Sequence, residues 1–558
     1  MTLTCRVAAY LFAVSLFAHP ARAAEPQHRD VDVCVYGATS AGVIASVAAK
    51  KEGKSVLLIE PGGHLGGMSS GGLGWTDFGN KAVIGGMSLD FYRRVGKEYG
   101  KQDAVWTFEP RVAEKVFRDL LSENHVDVLF EHRLVRDQGK TVKQVARITS
   151  VTLEHAPPQP TGAPAPAALP DSRQVIVAAK VYLDCTYEGD LMAAAGVSYH
   201  VGRESVSTYN EPLNGIRANT PKHQFLGPVD PYVVPGDPSS GLLPLIQEGD
   251  GGNPGDGDRR VQTYNFRLCL TKEESNRQPI AAPAGYDPKR YELLARHVQS
   301  LEKTGNLDKL SGKAPLLKID MVTPKKTDIN NNGAVSTDYI GMNYAYPDAD
   351  YATRGRIWND HLNYTQGLFY FLATDSRVPE RIRREAQSWG LCKDEFQDTG
   401  GWPHQMYVRE ARRMIGPYVI SQADCEHKKV ADDSVGMGAY NMDSHNCQRV
   451  VQNGVARNEG DVQVSPTGPY PIPYRALTPK KEQCENLLVP VCISSSHIAY
   501  GSARMEPVFM VLGESAAYAS CMAIDAGKAV QDVEYPVLRQ KLLCAKQVLE
   551  HTAPTKKK

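Results

Sequence analysis

An α/β fold follows from two stretches of this sequence and from the material that separates them. Near the start, a β-branched run "VDVCVYG", a tight turn, a small-residue helix "AGVIASVAAKKEG" and a second strand "SVLLIE" fill Val31 to Glu60 in βαβ order. Near the end, apolar strand and helix material returns in "NLLVPVCISSSHIAYGSARMEPVFMVLGESAAYASCMAIDAG". From about residue 210 to 480 the pattern changes to long loops, aromatic-rich strands and polar helices. The expected architecture is a Rossmann-like domain that is discontinuous, built from residues 24–209 and 481–530, with a central α+β lobe at 210–480 and a C-terminal helix and tail at 531–558.

At 558 residues and 42% hydrophobic content the chain is long enough for more than one small core and is not compositionally disordered. Lys+Arg and Asp+Glu balance at 63 each, which removes the electrostatic case for nucleic acid or an anionic membrane as main partner. A small-molecule ligand is expected instead. Residues 1–23 read as a signal peptide: Arg6, the apolar run Val7 to Ala18, then Ala21–Arg22–Ala23 as an A-x-A cleavage pattern. A dozen apolar residues fall short of the roughly 20 that span a bilayer, so the expectation is a periplasmic or secreted protein without stable membrane insertion. Of eleven cysteines, cleavage would remove Cys5, and Cys484 and Cys492 are near enough to pair or to stay as buried thiols.

In the first turn Gly37 permits the bend, Gly42 lets helix and strand pack closely, and Thr39 stands where the middle glycine of G-x-G-x-x-G belongs. Thr39, Ser40 and Ala41 can still offer backbone N–H groups, and Thr39 a hydroxyl, to a pyrophosphate at the helix N-terminus. Ser40 is the expected cap, with Gly53 after Lys50 and Lys51 as the stop. Glu60, at the end of the second strand and about twenty residues past the turn, is placed for a ribose hydroxyl. Helices are expected at "MSLDFYRRVGKEYG", "RVAEKVFRDLLSENH", "VPERIRREAQSWG" and "QMYVREARRMIG", and the proline-rich Ala156 to Pro170 reads as a surface loop.

Three further segments, "HLGGMSSGGLGWTDFG", "DCTYEGDLMAAAGV" and "GSARMEPVFMVLGESAAYASCMAIDAG", together resemble the FAD-dependent oxidoreductase family related to the fumarate reductase and glutathione-reductase-type flavoproteins. The resemblance covers both chain ends and implies FAD as cofactor. It implies that Gly66, Gly67, Met68 and Ser69 run along the pyrophosphate and flavin, and that the turn carrying Asp184, Thr186, Gly189 and Asp190 also meets the cofactor. Asp190 can cap the following helix as well. It further implies that a helix N-terminus near Arg504, Met505 and Glu506 faces the flavin pyrimidine, where its positive dipole stabilises charge on reduction; Arg504 can instead pair with Glu506. Some related flavoproteins carry FAD covalently through a histidine near the glycine-rich segment, which makes His64 a candidate for attachment, for a hydrogen bond or for turn filling.

For the substrate side, a base and orienting groups are needed, and His445, His497, Arg409 and Tyr440 are the candidates from polar stretches of the central lobe. On the expected helix Arg409 and Arg413 share a face at i, i+4, fit to clamp a carboxylate or to bridge surface acids. "DINNNG" at Asp328 to Gly333 copies the start of an EF-hand loop but has Tyr339 at the twelfth position, so a turn is expected and no metal. No G-x-S-x-G elbow and no second G-x-G-x-x-G occur. The expected function is an exported FAD-dependent oxidoreductase passing a hydride between an organic substrate and flavin, with oxygen or an external carrier as electron acceptor. Trp358, Tyr364, Trp402 and Tyr440 suggest pyranose stacking, hence a carbohydrate or another hydroxylated metabolite. Two alternatives stand beside it: a lyase or isomerase that uses flavin without net redox change, and an inactive carbohydrate-binding scaffold.

Overall fold

A computed structural model describes residues 25–170 and 172–551; the expected signal peptide at 1–23 and the tail from Thr552 lie outside the described residues. The protein is a mixed α/β fold. Its main sheet runs β3 (Asp127–Phe130), β2 (Val56–Glu60), β1 (Gln27–Tyr36), β7 (Val175–Asp184), β6 (Arg147–His155), β4 (His132–Leu134), with β5 (Thr141–Gln144) also on β6. β3, β2, β1 and β7 are mutually parallel, whereas β6 runs antiparallel to β7, β5 and β4. The last strand of this sheet comes from far along the chain: Leu487–Leu488 pairs in parallel with Tyr182 and Leu183.

The helix α1 (Ser40–Lys51) is buried from Ser40 to Ala49, because its small residues lie between the sheet and the helix Glu506–Ala526. Close packing is enforced at Gly513, where an added Cβ would meet the Ala41 carbonyl oxygen at 2.4 Å. Glu506–Ala526 is long and apolar enough to cross a membrane by length and composition, and it is largely buried inside the protein. Helices α2 (Gly86–Glu98) and α3 (Pro110–Glu123) bury one face each, α2 through Phe91, Tyr92 and Val95, α3 through Val116, Phe117 and Leu120.

The central region is made of short ribbons and helices. Leu317–Met321 pairs with Thr327–Asn331, Met442–Ser444 with Val462–Val464, Gln448–Gln452 with Val455–Glu459, and Tyr351–Thr374 is the longest helix. One apolar core runs through both regions, from Val33 and Val35 on β1 to Tyr364 and Phe371 in the central helix.

Two expectations change here, and one open alternative is decided. "QMYVREARRMIG" is not a helix: residues 404–411 are irregular, with one bridge from Tyr407 to Asn265, and Arg412–Met414 is a strand paired with Tyr199–Val201. Its arginines are buried, each against a carboxylate on a different element, and no single helix face could deliver them to partners so scattered. The proline-rich stretch is not a plain surface loop, since Ala156 and Ala163 are buried and Ala165 receives a hydrogen bond from Arg133 Nη1 through its carbonyl. Cys484 and Cys492 are both free, with Cys492 Sγ donating to the Thr186 carbonyl at 3.4 Å.

Candidate functional site

The turn after β1 is as tight as its glycines allow. Gly37 has φ +96°, and a Cβ at Gly42 would stand 1.9 Å from the Gly37 carbonyl oxygen. Thr39, not Ser40, caps α1: its Oγ1 accepts from Gly42 N at 3.4 Å and donates to the Cys185 carbonyl at 2.7 Å, tying the turn to the end of β7. Ser40 instead donates to Glu506 Oε2 at 2.6 Å. Glu506 also accepts from Ser69 Oγ at 3.2 Å and from the Tyr187 hydroxyl at 2.7 Å, while that hydroxyl accepts from Met68 N at 2.8 Å. One buried carboxylate thus joins the first turn, the glycine-rich segment and the β7 turn, and burial raises its pKa against these three donors.

Beside this junction lies a cavity of about 310 Å³ whose walls include Gly37, Thr39, Glu60, Gly67, Thr186 and Asp190. Glu60 accepts from Ala38 N at 2.7 Å and Gly62 N at 2.6 Å, and burial pushes it up to about 7 despite those bonds. Gly66 and Gly67 have positive φ, and a Cβ on Gly67 would strike the Tyr187 hydroxyl at 2.3 Å. Ala41 faces Gly513 and does not line the cavity. In the β7 turn the cap expected at Asp190 belongs elsewhere: Gly189 is the cap position, and Asp184 Oδ2 accepts from Met192 N at 2.8 Å. Asp190 is instead clamped by Arg354 at 2.6 Å and Arg412 at 2.8 Å, which hold it below the usual carboxylate range in spite of burial. The stretch from Ala156 to Ala165 closes the far wall, together with Trp358.

His64 lines this same cavity. Its Nδ1 is 3.2 Å from Glu114, its Nε2 is 2.8 Å from Asp398, and its ring stacks on His404 with centroids 3.7 Å apart and planes within 5°. His64, Glu114 and His404 bring ligand atoms together, but parallel stacked imidazoles aim their in-plane lone pairs side by side, not at one point.

A second cavity, of about 480 Å³, opens beyond the glycine-rich segment and is mostly polar; Asp77, Arg267, Tyr440, Asp443, His445 and Arg504 face it, with Met505 and the run Asn330–Asn332. His445 stands between two carboxylates: Nδ1 is 2.9 Å from Asp338 Oδ2 and Nε2 is 3.4 Å from Asp443 Oδ2. Burial and the Arg409 charge push its pKa down, but Asp338 and Asp443 outweigh them and the net shift is upward. Arg504 pairs with Asp443 at 2.9 Å and donates to the Tyr407 hydroxyl at 2.8 Å, so the alternative pairing with Glu506 does not form. The Tyr440 hydroxyl donates to Asp77 at 3.0 Å.

Two sequence candidates do not reach the cavity wall. Arg409 sits one layer behind it, 3.0 Å from Asp338 and over the Tyr407 ring at 4.7 Å. Arg409 and Arg413 do not form a common clamp: Arg409 pairs with Asp338 and Arg413 turns to Glu204 at 2.6 Å. His497 is buried, with Nδ1 2.7 Å from Glu410 and Nε2 2.9 Å from Ser444, and burial drives it down to about 3; it lines neither cavity and has no free nitrogen for a substrate proton. Asp338, Asp443, Arg267 and Asn330–Asn332 were missed by sequence reasoning. "DINNNG" held the one signal: Thr327–Asn331 is a strand, Asp328 is bound to Arg267 at 2.6 Å, and the asparagines after it line the cavity. Trp358, Tyr364 and Trp402 are buried, and of the four aromatics named above only Tyr440 faces the polar cavity.

A family model described as "FAD dependent oxidoreductase" matches residues 32–542. No curated protein matches the chain. Among solved structures, OxyS anhydrotetracycline hydroxylase from Streptomyces rimosus is similar over 35% of this chain and 41% of its own, at 10% identity and a TM-score of 0.24. A 3-ketosteroid-delta4-(5alpha)-dehydrogenase from Rhodococcus jostii RHA1 is similar over 31% and 51%, at 12% identity and 0.20. A flavocytochrome c3 fumarate reductase in open conformation is similar over 32% and 44%, at 16% identity and 0.20. This chain therefore spans between 41% and 51% of the length of those three proteins.

Proposed function

Because the chain belongs to the FAD dependent oxidoreductase family, we propose that it oxidises a hydroxylated organic substrate, a carbohydrate in the first instance, in the polar cavity that carries His445. The chain is an FAD-dependent oxidoreductase, and its own residues fit FAD. A Cβ at Gly42 would close the turn, Gly37 opens onto the first cavity, and the Glu60 carboxylate faces that cavity with lone pairs to spare after two backbone bonds. The adenosine half would be held at the first cavity, which Gly37, Glu60 and Gly67 line, and the reactive ring would meet the second, which His445 and Arg504 line. In this reading residues from both chain ends form one FAD-binding domain, supported by Leu487–Leu488 on the main sheet and Gly513 against Ala41.

When bound, FAD supplies a two-electron acceptor for a substrate hydride. The side chains do the rest. Asp338 fixes Nδ1 of His445, which leaves Nε2, only loosely engaged by Asp443, to take the proton of a substrate hydroxyl. Arg504, held by Asp443 and Tyr407, places positive charge where oxygen becomes negative. Arg409 buttresses Asp338 from behind. The asparagines 330–332 and Tyr440 supply donors and acceptors for further hydroxyls. The observation that carries this reading is the Asp338–His445–Asp443 relay facing a polar cavity. The leader pattern ending at Ala23 supports an extracytoplasmic setting, where sugars are abundant.

The test is anaerobic titration of the purified holoprotein with sugars, alditols and hydroxy acids, read as loss of flavin absorbance. A hydroxylated substrate is expected to bleach the flavin. Turnover without any change in flavin redox state would contradict the proposal and favour non-redox chemistry.

A further inference from the structure

A third cavity, of about 570 Å³, adjoins the polar one and shares Asp77, Lys318, Tyr440 and Asn441 with it, so the two form one trough. The inner part must take the reactive ring of the cofactor as well as the reacting carbon, which leaves the outer part for whatever else the substrate carries. The outer wall holds Trp75 at 38% exposure, the one tryptophan among the exposed large apolar side chains of the described residues. Trp75 is not loose. Its backbone N–H donates to Asp328 Oδ2 at 3.0 Å, and Asp328 is bound through both oxygens to Arg267 on the inner wall, so the main chain that carries the indole is anchored.

Phe78, on the same wall, packs edge-on against Trp106, which stacks on Tyr92 at 4.2 Å. The same cavity is lined by Asn441 and by Ser465, whose hydroxyl donates to Asn441 Oδ1 at 2.8 Å and leaves the amide N–H₂ of Asn441 for a ligand. An exposed indole beside an amide and a hydroxyl, at the rim of a polar trough, matches the two sides of a sugar ring: an apolar C–H face and a belt of hydroxyls.

We propose that this outer cavity is a second subsite, that Trp75 is its stacking platform, and that the substrate is an oligosaccharide, or a sugar joined to another ring, oxidised on its inner unit. The inference deepens the functional reading above and rests on it. The Tyr440–Asp77 hydrogen bond is the neck between the units.

The test uses the holoprotein and a ladder of glucose oligomers of one to four units, in both α- and β-linked series. Two quantities are read: KM for anaerobic flavin bleaching, and quenching of tryptophan fluorescence on binding. Addition of the second unit is expected to lower KM about tenfold, the scale of one aromatic stacking contact. In Trp75→Ala that gain disappears, and in Trp75→Phe it returns in part, with FAD content unchanged. Equal KM for one and two units, or an equal gain in Trp75→Ala, overturns the subsite. If no oligomer bleaches the flavin, the carbohydrate reading above fails. Length-dependent quenching that Trp75→Ala abolishes would then still support the subsite, and its absence would overturn that too.

Discussion

At the scale of single residues, the proposed chemistry turns on a histidine caught between two aspartates. A base must be neutral to accept a proton, and His445 is held above the ordinary histidine value. Flavin reduction is therefore expected to be slow in acid and to rise with pH, levelling off above the usual histidine range. His445→Gln should remove that limb and slow reduction by about 10²–10⁴-fold, measured by stopped-flow at fixed FAD occupancy. His497→Gln should behave differently: the buried imidazole loses partners in Glu410 and Ser444, so stability falls by about 1–3 kcal/mol in denaturant melts while the pH limb remains. Glu60→Ala is expected to weaken FAD about tenfold or more by equilibrium titration, the worth of a hydrogen bond to a charged group. Sequence distinguished these residues unevenly. Glu60 was legible because its position is fixed by local βαβ spacing, and His445 because it sits in a polar stretch. Asp338 and Asp443 were not, since only the fold brings either carboxylate to the imidazole.

At the scale of elements, two close approaches hold the site together. Gly42→Val puts branched carbon where the Gly37 carbonyl oxygen stands, and FAD occupancy is expected to collapse, read from the visible spectrum of the purified protein. Intact occupancy would remove the nucleotide from this turn. Gly513→Val drives a side chain into the Ala41 carbonyl, and a loss of about 1–3 kcal/mol with weakened FAD retention is expected. The βαβ unit was readable because strand, turn and helix signals agree within thirty residues. The stretch 404–416 was misread because its arginines repeat at helical spacing, and what draws it out of a helix is a set of distant carboxylates: Asp338, Asp190 and Glu204. The proline-rich stretch misled for a related reason. Its composition reads as solvent-facing, yet Ala156 and Ala163 are buried against the cavity wall.

At the scale of the whole molecule, the proposed site comprises a first cavity at the turn after β1 and, separately lined, a polar chamber that shares Asp77, Lys318, Tyr440 and Asn441 with an aromatic rim. Glu506 ties the segments around the first cavity together, since it binds Ser40, Ser69 and Tyr187 from three separate stretches of chain. Family and cofactor could be inferred from motifs at the chain ends, whereas the polar cavity is assembled from loops and short strands whose sequence shows only polarity. The measurement that bears most directly on the account is anaerobic stopped-flow reduction of the flavin by a hydroxylated substrate, in the wild-type protein and in His445→Gln, across pH. The account predicts bleaching in the wild type that rises with pH, and slow, pH-flat bleaching in the variant at equal FAD content. Equal rates and equal pH profiles in the two proteins would contradict it.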